Sequence, residues 1–563
     1  MAEYLSPGVY IEEYDSSPRS IEGAGTSTAG FIGFTEKGPT TGAPVLVTNF
    51  ADYQRKFGGF LSEYTHGKYR FLPYCVEQFF ANGGTRCFIS RVIPSNAKSA
   101  SSKQGNLSVR AANEGKWGNK ITLSFVSSNK RKMQLISEEG DRVFIAKSVA
   151  GFAEGDVVEF AGEFNRIAAI LDNLITFEKA FSVSPVDDAI APKLFVYSSE
   201  MDIIVRSEDA AEVYNDVNLN VTSSNYITKR MGASDIVSVT AKDSGELDNP
   251  VAVIFGAGQV KGVMSFAGGS DGNAESADAG TFIGVDNGPG KRTGIEAFQE
   301  NNVVSIIAVP GVTIPEVVVS LVAHCEREKS RFAVIDVPVE LTKTDDIIEY
   351  RNMIDSTYAA MYHPWVQVFD RISKKPIFIP PSGSVTGVYS RTDVTRGVHK
   401  APANETVACT GLSINYTTGE QDILNPVGVN LIRALPGQGI RVWGARTASS
   451  DSNFKYVNVR RLFIFIEESI KNNTNWVVFE PNNSSLWARV QMTISSFLDT
   501  CFRMGMFSGE TPAQGFFVDI GPSTMSQDDI MNGRLICNIG IAPVRPAEFV
   551  IFRLTQFTSE AGG

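Results

Sequence analysis

A strand–helix–strand–helix–strand order between Lys261 and Pro380, a train of short alternating strands before it and two long amphipathic helices after it predict a multidomain α/β and α+β protein. At 563 residues the chain has room for about four domains. Its composition, 43% hydrophobic and 20% charged, is that of a folded protein with large cores.

The first element is an isolated strand. After the Pro-Gly turn in YLSPGVYIEEYD, Val9 to Asp15 alternate, with Val9 and Ile11 on one face and Tyr10 and Tyr14 on the other. No second run lies within a short turn to complete a hairpin, so its backbone groups need a partner elsewhere. A Gly- and Ser-rich linker leads to TAGFIGFTEKGP, a strand running into a Gly-Pro turn. LVTNFADYQRKFGGF then reads as a short capped helix, FLPYCVEQFFANGG as a helix ending at Gly83, and TRCFISRVI as a strand.

From about Pro94 to Gly258 the texture changes. NKITLSFVSS, RVFIAKSV, DVVEFAGEF, LITFEKAF and KLFVYSSEMDIIVR recur with turns between them, which predicts an all-β insertion. From Lys261 the chain alternates. VVSIIAVPG is a strand, PEVVVSLVAHCEREKS a helix with Pro315 in its first turn, RFAVIDVP a strand, TKTDDIIEYRNMIDSTYAAMYHP a helix and WVQVFD a strand. That order predicts a mainly parallel sheet covered by helices.

Beyond Ser382 the pattern is mixed. DSNFKYVNVRRLFIFIEESIKNN is an amphipathic helix with Val459, Leu462, Phe463, Ile466 and Ile470 on one stripe. SSLWARVQMTISSFLDTCFRMG is another, with Val490, Ile494, Phe497, Leu498 and Cys501 inward. In the closing segment Phe549, Val550, Ile551 and Phe552 are consecutive and apolar, as in a strand covered on both faces.

Charge and rare residues exclude several classes. A net charge of −11 argues against a nucleic-acid binder, which needs a basic face. The start MAEYLSPG has no apolar core, so no secretory leader is expected. The richest apolar stretch is interrupted by Pro310, Gly311 and Pro315 and followed by Glu316, so it is no plain membrane span. Cys75, Cys87, Cys325, Cys409, Cys501 and Cys537 form no C-x-x-C pair and read as thiols from a reducing compartment. His66, His324, His363 and His399 are the only histidines, and each stands without a neighbouring zinc-type ligand. No metal or cofactor is expected.

Three glycine-rich motifs invite chemistry and fall short of it. GGSDG, Gly268 to Gly272, fits the letters of a nucleophile elbow, but polar NAESADAG follows where a helix should open. GPGKRT lacks the first Walker glycine, because Val285 stands there, and Arg292 replaces the hydroxyl residue after the lysine. GAGQVKG is one residue too long for a dinucleotide fingerprint. All three read as turns, and no catalytic residue is assigned. Lys455, Arg460 and Arg461 form a local cationic face on a helix of an acidic chain, suited to an acidic partner.

Taken in order, YLSPGVYIEE, GTSTAGFIGFTEKGP, GGSDG with TGIEAF and SIIAVPG, YVNVRRLFIFIEESI, VFEPNN…LW and GIAPVRPAEFVIFRLTQF resemble the contractile tail sheath family of bacteriophages, R-type pyocins and extracellular injection particles. The resemblance covers roughly residues 1–95 and 260–563; the stretch between them resembles no known domain, as expected in a family whose outer domains vary.

The resemblance implies a subtilisin-like α/β sheath domain without the catalytic triad, a mixed α+β C-terminal core domain, a β-rich outer insertion and terminal strand extensions. It implies a structural protein, not an enzyme, stacked as helical rings around an inner tube in a metastable extended state. Contraction would drive the tube through a target envelope. Partners would be other copies of the chain, the inner tube, baseplate and terminator proteins and any sheath paralogues, with no nucleic acid and no membrane insertion. Assembly in the bacterial cytoplasm follows from the same likeness. The implied division is a linking extension over 1–25, part of the inner core over 26–95, the insertion over 96–260, the sheath domain over 261–381, a tube-facing domain over 382–546 and a linking strand over 547–563. Val9, Tyr10, Ile11 and Tyr14 would be a strand donated to a neighbour, with Phe549, Val550, Ile551, Phe552 and Leu554 in the acceptor region. Lys455, Arg460, Arg461, Arg489 and Arg503 would face the tube. A serine hydrolase using GGSDG and an adhesin or shell protein built on the insertion are the competing readings.

Overall fold

Three short runs whose every residue is buried set the architecture: Ile306–Ala308, Phe332–Asp336 and Ala359–His363. Strands buried on both faces belong to a parallel sheet with helices on either side. They are seen in a computed structural model that describes residues 20–186, 194–242 and 245–553. The chain divides into two compact units, one made of Met1–Phe31, Tyr74–Phe88 and Phe298–Gly563, the other of Ile32–Pro73 and Ile89–Ala297.

In the first unit the sheet is built from β1 (Ala29–Gly33), β2 (Ile306–Ala308), β3 (Phe332–Asp336), β4 (Ala359–His363), β5 (Val429–Leu435) and β6 (Gly439–Val442), adjacent in that order. Pairing is parallel from β1 to β5, with Gly30 beside Ile307, Ala333 beside Ala359 and Met361 beside Val429. The β5–β6 pair is antiparallel, with Arg433 opposite Arg441. Helix α1 (Pro315–Glu328) has proline at its first position, where a missing N–H costs nothing, and buries Val317, Val318, Leu321, Val322 and Cys325.

Helix α2 (Ser382–Arg396) is buried from Ser382 through Ser390. Its glycines allow close approach to the segment Tyr74–Ala81. A Cβ at Gly383 would stand 2.5 Å from the Cys75 backbone, and one at Gly387 2.5 Å from the Phe79 carbonyl oxygen. Asp336, at the carboxyl end of β3, ties down the start of α2. It accepts from Ser382 N at 2.8 Å, Ser382 Oγ at 2.7 Å and Gly311 N at 3.0 Å. Burial raises its carboxyl to about 6 in spite of these hydrogen bonds.

The C-terminal part of this unit packs α3 (Val457–Asn473) and α4 (Ser484–Arg503) with a two-stranded antiparallel sheet of β7 (Phe516–Ile520) and β8 (Cys537–Ile541). Leu462, Ile466, Val490, Ile494, Phe497, Leu498 and Cys501 form its core.

The second unit holds two separate β cores. A seven-stranded antiparallel sheet from Lys132 to Ser198 encloses Phe144, Val158, Ile175 and Phe177. A four-stranded and a three-stranded sheet share a core around Phe125, Ile203, Val109 and Val237. Among the described residues of 96–260, Ile227–Arg230 and Pro250–Phe255 are helical, so the segment is β-rich rather than all-β. Asn249 caps the second of these helices and Pro250 opens it, a start signal that the strand alternation overshadows.

Three other expectations are corrected. The single helix read from Thr342 to Pro364 is a helix over Thr344–Arg351 followed by strand β4. Ala359–His363 is buried on both faces, and such a run has no period to separate it from a buried helix. The strand Val366–Phe369 leaves the parallel sheet and pairs antiparallel with Pro376–Ile379 and Gly411–Leu412. Phe549, Val550, Ile551 and Phe552 lie in no strand and are 73%, 69%, 79% and 84% exposed. Nothing in the described chain covers either face of that segment.

Candidate assembly surfaces

The motifs that suggested chemistry are turns. Ser270 bridges to Lys98, its hydroxyl accepts from Gly272 N at 3.2 Å, and only a 3-10 turn over Ala274–Ser276 follows. Gly268 and Gly272 take φ of 81° and 75°, the left-handed region that glycine enters freely. Arg292 pairs with Asp286 at 2.8 Å, and Thr293 Oγ1 accepts from Val285 N, which closes the GPGKRT loop on itself. Gly256 caps the helix before GAGQVKG, and a strand begins at Lys261.

Two of the histidines, His324 and His363, are packed in the core. His324 is 1% exposed and shares a hydrogen bond with buried Arg331. Burial, with Arg331 and Arg327 beside it, lowers it to about 3. His363 is fully buried against Tyr416 OH at 2.9 Å, and burial lowers it to about 4. Both are neutral at ordinary pH. Among the described residues no group of three or more His, Cys, Asp or Glu is placed to hold a metal, and no helix is long and apolar enough to cross a membrane.

The cationic residues separate into two kinds. Arg460 and Arg461, read as an outward face, are 8% and 3% exposed. Arg461 makes a bidentate pair with Asp393 and donates to Thr26 O at 2.9 Å. Arg460 stacks on Phe454 at 3.5 Å and Tyr358 at 4.5 Å from the ring centroids. They cannot face a tube, because α3 is packed on more than its apolar stripe. Lys455 is 37% exposed and lies 3.9 Å from Glu548. Arg489 and Arg503 on α4 are exposed, paired at the surface with Glu480 and Asp499.

The C-terminal segment is held by one clamp. Glu548 accepts from Arg446 Nε and Nη2, both at 2.7 Å, from Asn425 Nδ2 at 2.7 Å and from Tyr456 OH at 3.0 Å. Burial pushes its carboxyl up, but these donors outweigh burial and leave it below the usual carboxylate range. An open groove of about 900 Å³ lies alongside, with Pro426, Trp443, Val544 and Phe549 among its apolar walls and Arg396, Arg433 and Arg545 among its cations. The sheet of β7 and β8 has only two strands, so each has one edge without a strand partner among the described residues. Val9, Tyr10, Ile11, Tyr14 and Leu554 lie outside the described residues.

An anchored tail with four bare apolar side chains, an open groove and unpaired sheet edges are features suited to contact with other chains. Comparison with known proteins identifies the family. Residues 287–448 match the phage tail sheath protein central domain and 449–557 the phage tail sheath C-terminal domain, without a gap between them. This chain belongs to the phage tail sheath protein family. A putative prophage major tail sheath protein of Pseudomonas aeruginosa (strain UCBPP-PA14) is 25% identical over 291 residues, 49% of this chain and 72% of that protein. The tail sheath protein of Burkholderia phage BcepMu is 25% identical over 50% of this chain and 62% of its own length. Against the Salmonella phage ViI tail sheath protein the match spans 33% of the relative. The PVC sheath complex of an extracellular contractile injection system, in its contracted state, superposes with a TM-score of 0.54 at 21% identity over 100% of both chains. The contracted helical sheath of the anti-feeding prophage gives 0.52 at 21% identity, covering 98% of this chain and 100% of the other.

Proposed function

We propose that the chain is the repeating subunit of a contractile sheath, polymerising as helical rings around an inner tube and shortening to drive that tube through a target envelope. One observation carries the reading: both sheath domains match end to end, on a fold shared over the whole chain with a sheath subunit from a contracted injection particle. The parallel sheet of β1 to β5 is the subtilisin-like sheath domain, serving as scaffold with no catalytic site. The β-rich segment 96–260 is the outer domain, and the part beyond Ser382 is the inner one.

Copies are linked by extensions. Val9 to Asp15 of one copy adds as a strand to another, where main-chain bonds supply affinity and alternate side chains supply register. The exposed Phe549–Phe552 segment and the unpaired edges of β7 and β8 are the surfaces available to receive or extend such strands. Of the linker read over residues 16–30, Ile21, Ala24 and Thr26 are tied to their own unit and Ala29 and Gly30 belong to β1, so the segment left to let subunits rotate without breaking the link is the one ahead of Ser20. Arg489 and Arg503 on α4 take over the tube-facing role from the buried Arg460 and Arg461. Baseplate and terminator proteins are the remaining partners, and the particle is assembled in the bacterial cytoplasm.

Negative-stain microscopy of concentrated protein tests the reading. Hollow helical tubes are expected; discrete particles at every concentration overturn it. A fluorophosphonate probe is expected to label no serine, and labelling at Ser270 would revive a hydrolase.

A further inference from the structure

A strained aromatic stands bare just beyond one end of α3. Phe479 has φ of 68° and is fully exposed, and Val478 beside it is 63% exposed. A bulky side chain in the left-handed region is an outlier that surrounding contacts normally impose. Here the ring meets solvent, and no described residue covers it.

The groove lies toward the opposite end of the same helix. Tyr456, which precedes α3, is one of its walls. A 17-residue helix is about 25 Å long, which separates tip from groove within one copy. Between two copies they can meet. The groove offers an apolar wall at Trp443 and Phe549, beside Arg396, Arg433 and Arg545, none of which has a carboxylate partner among the described residues. The tip offers an apolar pair followed at once by Glu480, which among the described residues pairs with Arg489 alone, in a 3.2 Å surface contact.

We infer that the Val478–Phe479–Glu480 tip of one copy seats in the Trp443–Arg433–Arg545 groove of a second copy, ring against the apolar wall and carboxylate toward the arginines. The two sides of this contact are different surfaces, so it is heterologous and repeats head to tail rather than closing as a dimer. The inference rests on the self-assembly reading and names the surfaces of one of its contacts.

Phe479→Gly is the main test, because glycine suits the φ at that position and should fold at least as well as the parent. Its melting temperature should equal or exceed the parent's, while polymer recovered by sedimentation should fall at least tenfold. Tubes in parental yield would overturn the inference and leave the sheath reading intact, whereas a parent that forms no tubes overturns both. In mixed polymers seeded with parent, the pair Phe479→Cys and Ala547→Cys should give interchain products with a short bismaleimide, absent from either single variant. Intact polymers without that product would also overturn it.

Discussion

Arg461 and Asp393 form a buried two-point ion pair, Nη1 to Oδ1 at 2.9 Å and Nη2 to Oδ2 at 2.5 Å, with side chains 3% and 2% exposed. The pair joins α3 to α2, and the same guanidinium holds the backbone at Thr26. Removing one partner leaves a charge buried alone. Arg461→Ala should therefore cost about 3–5 kcal/mol, seen as an earlier melting transition. An unchanged melting curve combined with lost tube-templated assembly would return Arg461 to a tube-facing role.

That residue also shows where the sequence is legible. The apolar stripe of α3 was readable, because Val459, Leu462 and Ile466 recur at helical spacing and are buried. The burial of Arg460 and Arg461 was not, since Asp393 lies 68 residues away and no local pattern connects them. The strands Ile306–Ala308 and Phe332–Asp336 and helix Pro315–Glu328 stood out through flanking proline, glycine and charged residues. Ala359–His363 did not, because its partners on both sides are nonlocal. Glu548 gave no signal in PVRPAEF; its clamp is assembled from Asn425, Arg446 and Tyr456, all remote in sequence.

Asp336 makes a pH prediction with a definite sign. Its folded value, about 6, stands above the ordinary 3.8 because burial penalises the charge. A raised carboxyl contributes stability that is fully present below its unfolded value and lost as pH rises through the folded one. Asp336→Asn removes that titration and also leaves a donor facing Gly311 N or Ser382 N, so the variant is less stable throughout. The gap between parent and variant should be widest near pH 4 and narrow by roughly 2–3 kcal/mol by pH 7. Thermal melts of both proteins across that range check it, and a gap that widens toward pH 7 would contradict it.

Glu548 predicts the opposite slope, read locally. Its carboxyl is held below the ordinary range, so its contribution is present above the unfolded value near 4.5 and is lost as pH falls through the lower folded one. At neutral pH, Glu548→Gln should weaken the clamp by about 1.5–3 kcal/mol, the usual worth of hydrogen bonds to a charged group. The tail around Glu548 should then open more often, and chymotrypsin should cut after Phe549 about tenfold faster than in the parent. Global melting should barely move. Equal cutting rates would show that the tail is held by something other than this carboxylate.

Removing residues 1–19 should leave a folded, soluble subunit that no longer builds stable tubes. The boundary matters. Ile21 packs on the core formed with α4, Asn473 donates to Glu22 O at 3.0 Å, and Ala24 N donates to Ser469 Oγ at 2.9 Å. A cut beyond Ser20 would damage the unit itself. Ahead of it the sequence reads as a strand with no partner run nearby, so the loss should fall on the polymer. Ile11→Pro is the finer version, because it removes one backbone donor and fixes φ without shortening the chain. Circular dichroism should match the parent for both variants, while sedimentation should find monomers where the parent gives tubes. A linked lattice multiplies a modest contact over every subunit in every ring, so even the single proline should shorten or abolish the tubes. Tubes of parental length from the truncated chain would sink the donated-strand reading and leave the groove contact as the main longitudinal link.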